Sequence, residues 1–89
     1  MPNIIACEIH DYFEAVCMHQ FELEISLNNG QRLSGAARDI VVKDRQEYLV
    51  LEQRINNSEL KKRMEVNLLQ IRSVEVLTKN NIISSFKVN

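Results

Sequence analysis

Cys7, His10, Cys17 and His19 form a Cys-x2-His-x6-Cys-x-His set near the start of the chain. Thiolate and imidazole are the usual zinc donors. This spacing matches no standard finger, and Cys17 falls on the apolar side of the helix that the segment predicts, so the two cysteines read as small hydrophobes. No metal and no cofactor is expected. The same stretch carries a second kind of chemistry. Glu8, Asp11, Glu14, Glu22 and Glu24 lie within the first 28 residues, which hold no Lys or Arg, while the remaining 61 residues hold all 11 basic residues against seven acids. The formal net charge of −1 therefore conceals an acidic opening and a basic body. Carboxylates gathered in this way suit a positively charged partner. Catalysis is not expected, because no Ser-His-Asp set or phosphate-cradling glycine loop occurs, and two glycines and two histidines give little from which to build one.

Eighty-nine residues make one domain whose single core must use nearly all of its apolar side chains. The composition, 45% hydrophobic and 26% charged, is that of an ordinary globular chain, and no apolar run approaches a membrane span. The opening Met1-Pro-Asn-Ile-Ile lacks the pattern of a signal peptide, and two cysteines without an export signal suit a reducing compartment. The expected location is the cytoplasm.

The acids need an element to hold them. Asp11 and Glu14 have the spacing of a capping box, which predicts a helix over about 11–20 with Tyr12, Phe13, Val16 and Cys17 on its packed side and Asp11, Glu14, Ala15 and Met18 outward. Phe21, Leu23, Ile25 and Leu27 then alternate with Glu22, Glu24 and Ser26, as in a half-buried strand. Asn29-Gly30 predicts a type I′ hairpin turn. The return strand over 31–42 contains Gly35, and its apolar phase shifts from Leu33 and Ala37 to Ile40 and Val42, which predicts a bend or bulge. A polar turn at Lys43-Asp44-Arg45-Gln46 leads to a third strand over 47–52. A polar loop over 54–62 and two short strands, over 64–68 and 71–77, complete the pattern. Five strands in series predict a mainly β domain, an antiparallel five-stranded barrel over about 20–77 with the helix over one end. The polar tail over 78–89 suits either a frayed end or an extra edge strand. Lys61-Lys62-Arg63 reads as a solvated loop edge.

The order Cys7-x9-Cys17 enclosing Asp11 and Glu14, then Asn29-Gly30, Leu33-x-Gly35-x-Ala37-x-Asp39, Glu47-Tyr48-Leu49-Val50 and Ile71-x-Ser73, resembles the Rho-binding antiterminator family, also called Rof or YaeO. The resemblance covers about residues 5–76 of the chain. It implies an Sm-like barrel that binds the transcription termination factor Rho at the primary RNA-binding site of its N-terminal domain, so that RNA cannot load. A groove that holds RNA phosphates through Lys and Arg also suits carboxylates. The partner surface implied by the resemblance is Glu8 and His10 just before the helix, Asp11, Glu14 and Met18 on it, and Asp44 and Arg45 at the turn after the second strand. His10 stands where relatives commonly have Tyr, and Asp44-Arg45 where relatives can carry Lys-Asn.

An Sm-like RNA-binding module is the alternative. Against it, Asp39-Ile-Val-Val lacks the Asn that follows the Asp of RNA-binding Sm motifs, and no strand interleaves aromatic with basic residues. The acidic opening is expected to repel phosphate, so neither direct nucleic-acid binding nor membrane binding is expected.

Overall fold

The apolar stripe Ile9, Phe13 and Val16 recurs at i, i+4 and i+7, and it builds the first element, helix α1 (Cys7–Met18). This computed structural model describes residues 7–54 and 60–88, with Cys7 as backbone alone. The helix begins four residues before the expected Asp11, because Ile9 belongs to the same stripe and packs on the core. Asp11 and Glu14 therefore lie in the second turn, and their spacing is not a capping box. Glu8 is the acid of the first turn, where the helix dipole favours negative charge. The far end closes by a Schellman motif: Phe21 N–H donates to Val16 O at 3.0 Å and Gln20 N–H to Cys17 O at 3.2 Å. Gln20 takes the left-handed conformation there, at φ 53°.

Strand β1 (Glu22–Leu27) buries Leu23, Ile25 and Leu27 and leaves Glu22 exposed, as the alternation predicts. The turn into β2 (Arg32–Lys43) differs from the expected type I′. Gly30 N–H donates to Leu27 O at 3.0 Å, Leu27 N–H to Gln31 O at 2.8 Å, and of the loop residues Gly30 alone is left-handed. This is the pattern of a type I turn closed by a left-handed glycine. The pair of positive φ values that type I′ requires falls instead at Asp44 (49°) and Arg45 (66°), which join Lys43 to Gln46 at the start of β3 (Gln46–Arg54).

The bulge in β2 is present but lies beyond the glycine. Register against β3 breaks between Ala37 and Asp39, which leaves Arg38 as the extra residue. Gly35 serves a close approach, since a Cβ there would stand 2.9 Å from the backbone oxygen of Glu52. The loop expected over 54–62 falls on 55–59, outside the described residues, and on strand ends. Lys61-Lys62-Arg63 opens strand β4 (Lys61–Asn67) rather than edging a loop. A 3-10 turn (Leu68–Gln70), capped by Asn67 Oδ1 accepting from Leu69 N–H at 2.9 Å, leads to β5 (Ile71–Val76).

The sheet is antiparallel throughout, in the order β4-β3-β2-β1-β5-β6, where β6 is the short segment Phe86–Lys87. The expectation of a mainly β domain with one N-terminal helix stands, but a closed five-stranded barrel does not. The sheet is open between β4 and β5. A sixth strand, β6 (Phe86–Lys87), pairs with β5 through Ser73↔Lys87 and Val74↔Phe86 and so occupies the edge that closure onto β4 would need. Of the tail, Phe86–Lys87 is thus an edge strand, while residues 78–85 form no strand. Phe86 meets Phe13 edge to face, with ring centroids 5.3 Å apart, and Tyr12 at 5.1 Å. The core lies between α1 and the curled sheet: Phe13 and Val16 pack with Leu23, Ile25, Leu49, Leu51, Ile71 and Val74.

Candidate functional site

Helix α1 packs on β2, and the seam between them is a groove. One helical stripe, His10, Glu14 and Met18, forms its near wall, while Asp39, Ile40 and Val42 of β2 and Glu47 of β3 form the far side. His10 bridges the walls: its Nε2 is 2.8 Å from Glu47 Oε1 and its Nδ1 is 3.2 Å from Glu14 Oε1. Three carboxylates, Glu14, Asp39 and Glu47, thus line the groove beside two exposed apolar side chains, Met18 at 78% and Val42 at 65% accessible. This arrangement has the chemistry of a recognition surface for a cationic partner, with acids for charge complementarity and apolar side chains that would gain from burial.

Of the seven residues expected at the partner surface, the groove brings together His10, Glu14 and Met18. Glu8 and Asp11 are exposed on α1 outside it. Asp44 and Arg45 stand at the tip of the β2–β3 hairpin and make no hydrogen bond or ion pair with α1 among the described residues. The groove adds Asp39 and Glu47, which the expected surface does not include. Glu47 meets His10 across 37 residues of sequence, a pairing with no local signal.

Among the described residues, the members of the Cys/His set do not gather. His10 is engaged by Glu14 and Glu47, His19 stacks on Phe21 with centroids 5.2 Å apart, and the Cys7 side chain lies outside the described residues. Among the described residues no three His, Cys, Asp or Glu side chains are grouped to hold a metal ion. Cys17 lies half-buried at the floor of the groove, where burial first, and then the charges of Asp39 and Glu14, push its thiol up to about 12. Since the thiolate is the nucleophile, Cys17 should resist iodoacetamide at about pH 8 in the folded protein and react only after denaturation. Peptide mapping by mass spectrometry checks this, and rapid native alkylation of Cys17 would contradict it.

Beside the acidic groove is a cationic cluster built on one carboxylate. Glu52 of β3, whose side chain is 8% accessible, takes Arg38 Nη2 at 2.6 Å, Arg63 Nε at 3.0 Å and Lys61 Nζ at 3.3 Å. Hydrogen bonds from Arg38 and then Arg63, with Lys61 adding to them, hold the Glu52 carboxyl at about 2, against an ordinary value of 4.5. A lowered carboxyl value stabilises the fold above the unfolded chain's value, and that contribution is lost as pH falls from there through about 2. Thermal melts from about pH 5 to about pH 2 should show a smaller acid-induced fall in Tm for Glu52→Gln than for the natural chain. Equal falls would show that Glu52 does not carry this part of the acid limb.

Residues 4–88 match the family model described as modulator of Rho-dependent transcription termination (ROF). Two relatives, the Protein rof of Escherichia coli (strain K12) and that of Shigella flexneri, are each 38% identical over 48 residues, which is 54% of this chain. The matched segment spans 57% of the length of each of those relatives. In fold the chain is similar to YaeO bound to magnesium from Vibrio cholerae O395. That likeness has a TM-score of 0.72 at 22% identity and covers 86% of this chain and 94% of the other. Fold and groove define a small open-sheet β domain that carries an acidic helix face. The chain belongs to the ROF family, the modulators of Rho-dependent transcription termination. No helix among the described residues is long and apolar enough to cross a membrane.

Proposed function

We propose that this chain is a cytoplasmic antiterminator that binds Rho through its acidic helix face, occupies the primary RNA-binding site of Rho's N-terminal domain and so inhibits Rho-dependent termination. Family membership supports the connection to Rho. The observation that carries the choice of surface is the groove in which Glu14, Asp39 and Glu47 lie beside the exposed Met18 and Val42. A site that has evolved to bind phosphates presents Lys and Arg, and carboxylates fixed on a folded scaffold compete for the same cations. Glu8 and Asp11 extend the negative surface along α1, and Asp44 and Arg45 offer a second contact at the hairpin tip. The interaction alone accounts for inhibition, with no chemistry required of this chain.

The alternative of an Sm-like RNA-binding module would have to use the cationic cluster around Glu52. The groove there, lined by Arg38, Arg54 and Lys61, also contains Glu22 and Glu52 and presents no aromatic side chain among the described residues on which a base could stack. The test is transcription of a template with a Rho-dependent terminator: added protein should produce read-through, and unchanged termination at saturating protein would refute the proposal.

A further inference from the structure

Among the described residues, two struts hold α1 to the sheet outside the apolar core. Toward the N-terminal end, His10 meets Glu47 of β3. At the C-terminal end, Arg38 reaches in two directions: its Nη1 donates to Gln20 Oε1 and its Nη2 to Glu52 Oε1. Three observations indicate that this second strut is specifically maintained. Arg38 is the extra residue of the β2 bulge, and a bulge re-aims a side chain. Gln20 occupies the left-handed position of the Schellman motif, where glycine is unstrained and any other residue carries a steric penalty. Arg38 Nε is enclosed with no hydrogen-bond partner among the described residues, so the guanidinium keeps its place with one donor unsatisfied. Glu52 is itself immobilised by Lys61 and Arg63 of β4. Arg38 also borders the acidic groove, next in sequence to Asp39.

We infer that Arg38 is a positioning residue: by tying Gln20 at the end of α1 to Glu52 on β3, it sets the placement of Glu14 and Met18 against Asp39 and Glu47. This rests on the reading of that groove as the surface that meets Rho. The chain of contacts also couples β4 to the helix, since Lys61 and Arg63 hold the carboxylate against which Arg38 braces.

Gln20→Gly separates positioning from plain stability. It relieves the left-handed residue and deletes the acceptor of Arg38. If Gln20 were only part of a helix cap, both Tm and affinity for Rho should hold or improve. If it is the anchor of the strut, Tm should hold or rise, while affinity for purified Rho should fall by about tenfold and amide hydrogen exchange in the last turn of α1 should quicken. Arg38→Met should weaken binding by a similar factor, and the double variant should be no weaker than Arg38→Met alone, because both changes remove one interaction. Arg38→Lys, which has no planar fork, should not restore full affinity. Undiminished Rho binding by Gln20→Gly, or losses that multiply in the double variant, would overturn the inference. If the natural chain failed to bind Rho at all, the functional reading would fall. The strut would then be judged by hydrogen exchange in the free protein, where unchanged exchange in both single variants would overturn it.

Discussion

A protein carrying both Asp11→Lys and Glu14→Lys should fold as the natural chain does and fail to inhibit Rho. Asp11 is exposed in the second turn of α1 and caps nothing, so its reversal removes only surface charge. Glu14 gives up its approach to His10 Nδ1 at 3.2 Å, a partly exposed pair whose loss changes stability by about 1 kcal/mol or less. Disrupting a close charge pair in an interface costs roughly 2–5 kcal/mol, and the new lysines add repulsion from a cationic site. Affinity should therefore fall by roughly 30-fold to several thousandfold. Glu22 and Glu24 lie on the outward face of β1, with Glu24 3.6 Å from Arg32, and reversing them should matter much less. Circular dichroism, thermal melts and a termination assay on the double variant and on Glu22→Lys and Glu24→Lys make the comparison. A well-folded Asp11→Lys, Glu14→Lys protein that still inhibits would move the binding surface to the hairpin tip at Asp44 and Arg45.

The largest expected loss of stability comes from Phe13→Ala. Phe13 is 0% accessible, and it joins the helix to the core and, edge to face, to Phe86 of the last strand. Truncating a buried Phe costs about 3–5 kcal/mol through lost transfer energy and the cavity left behind. Domains of this kind have roughly 5–15 kcal/mol in total, so the variant should be marginally stable at best. Tyr12→Ala, one residue away but exposed and touching Phe86 from outside, should cost far less. Urea denaturation followed by circular dichroism measures both. A Phe13→Ala midpoint close to that of the natural chain would mean that α1 is not seated on the core as described.

The parts of this fold that were legible in the sequence are those fixed by side-chain period. Alternation from Phe21 to Leu27 placed β1 and its inward face correctly, and the change of phase across Ala37 and Ile40 announced the β2 bulge. What misled was local chemistry with more than one use. Asp11 and Glu14 can cap a helix, yet the stripe beginning at Ile9 carries the helix past them. Asn29-Gly30 suits a type I′ turn, but it forms a turn in which Gly30 alone is left-handed. The two positive φ values fall on Asp44 and Arg45, neither of which is glycine. Closure of the sheet depends on which strand reaches the free edge of β5, and the short segment Phe86–Lys87 has no periodic signal by which to announce itself. At the candidate site the acids of α1 were readable from charge asymmetry. Glu47 and Asp39 were not, because they join the groove only through strand pairing and the bulge.

The most direct measurement of the central claim is displacement of RNA from Rho. A fluorescent single-stranded RNA is bound to purified Rho, and the protein is titrated in while anisotropy is followed, with free RNA and the protein alone as a control. Anisotropy should fall to the value of free RNA as the protein is added. The protein alone should leave RNA anisotropy unchanged, because its acidic face repels phosphate. Anisotropy that stays high at saturating protein would refute occupation of the RNA site, because RNA would then remain on Rho with the protein present.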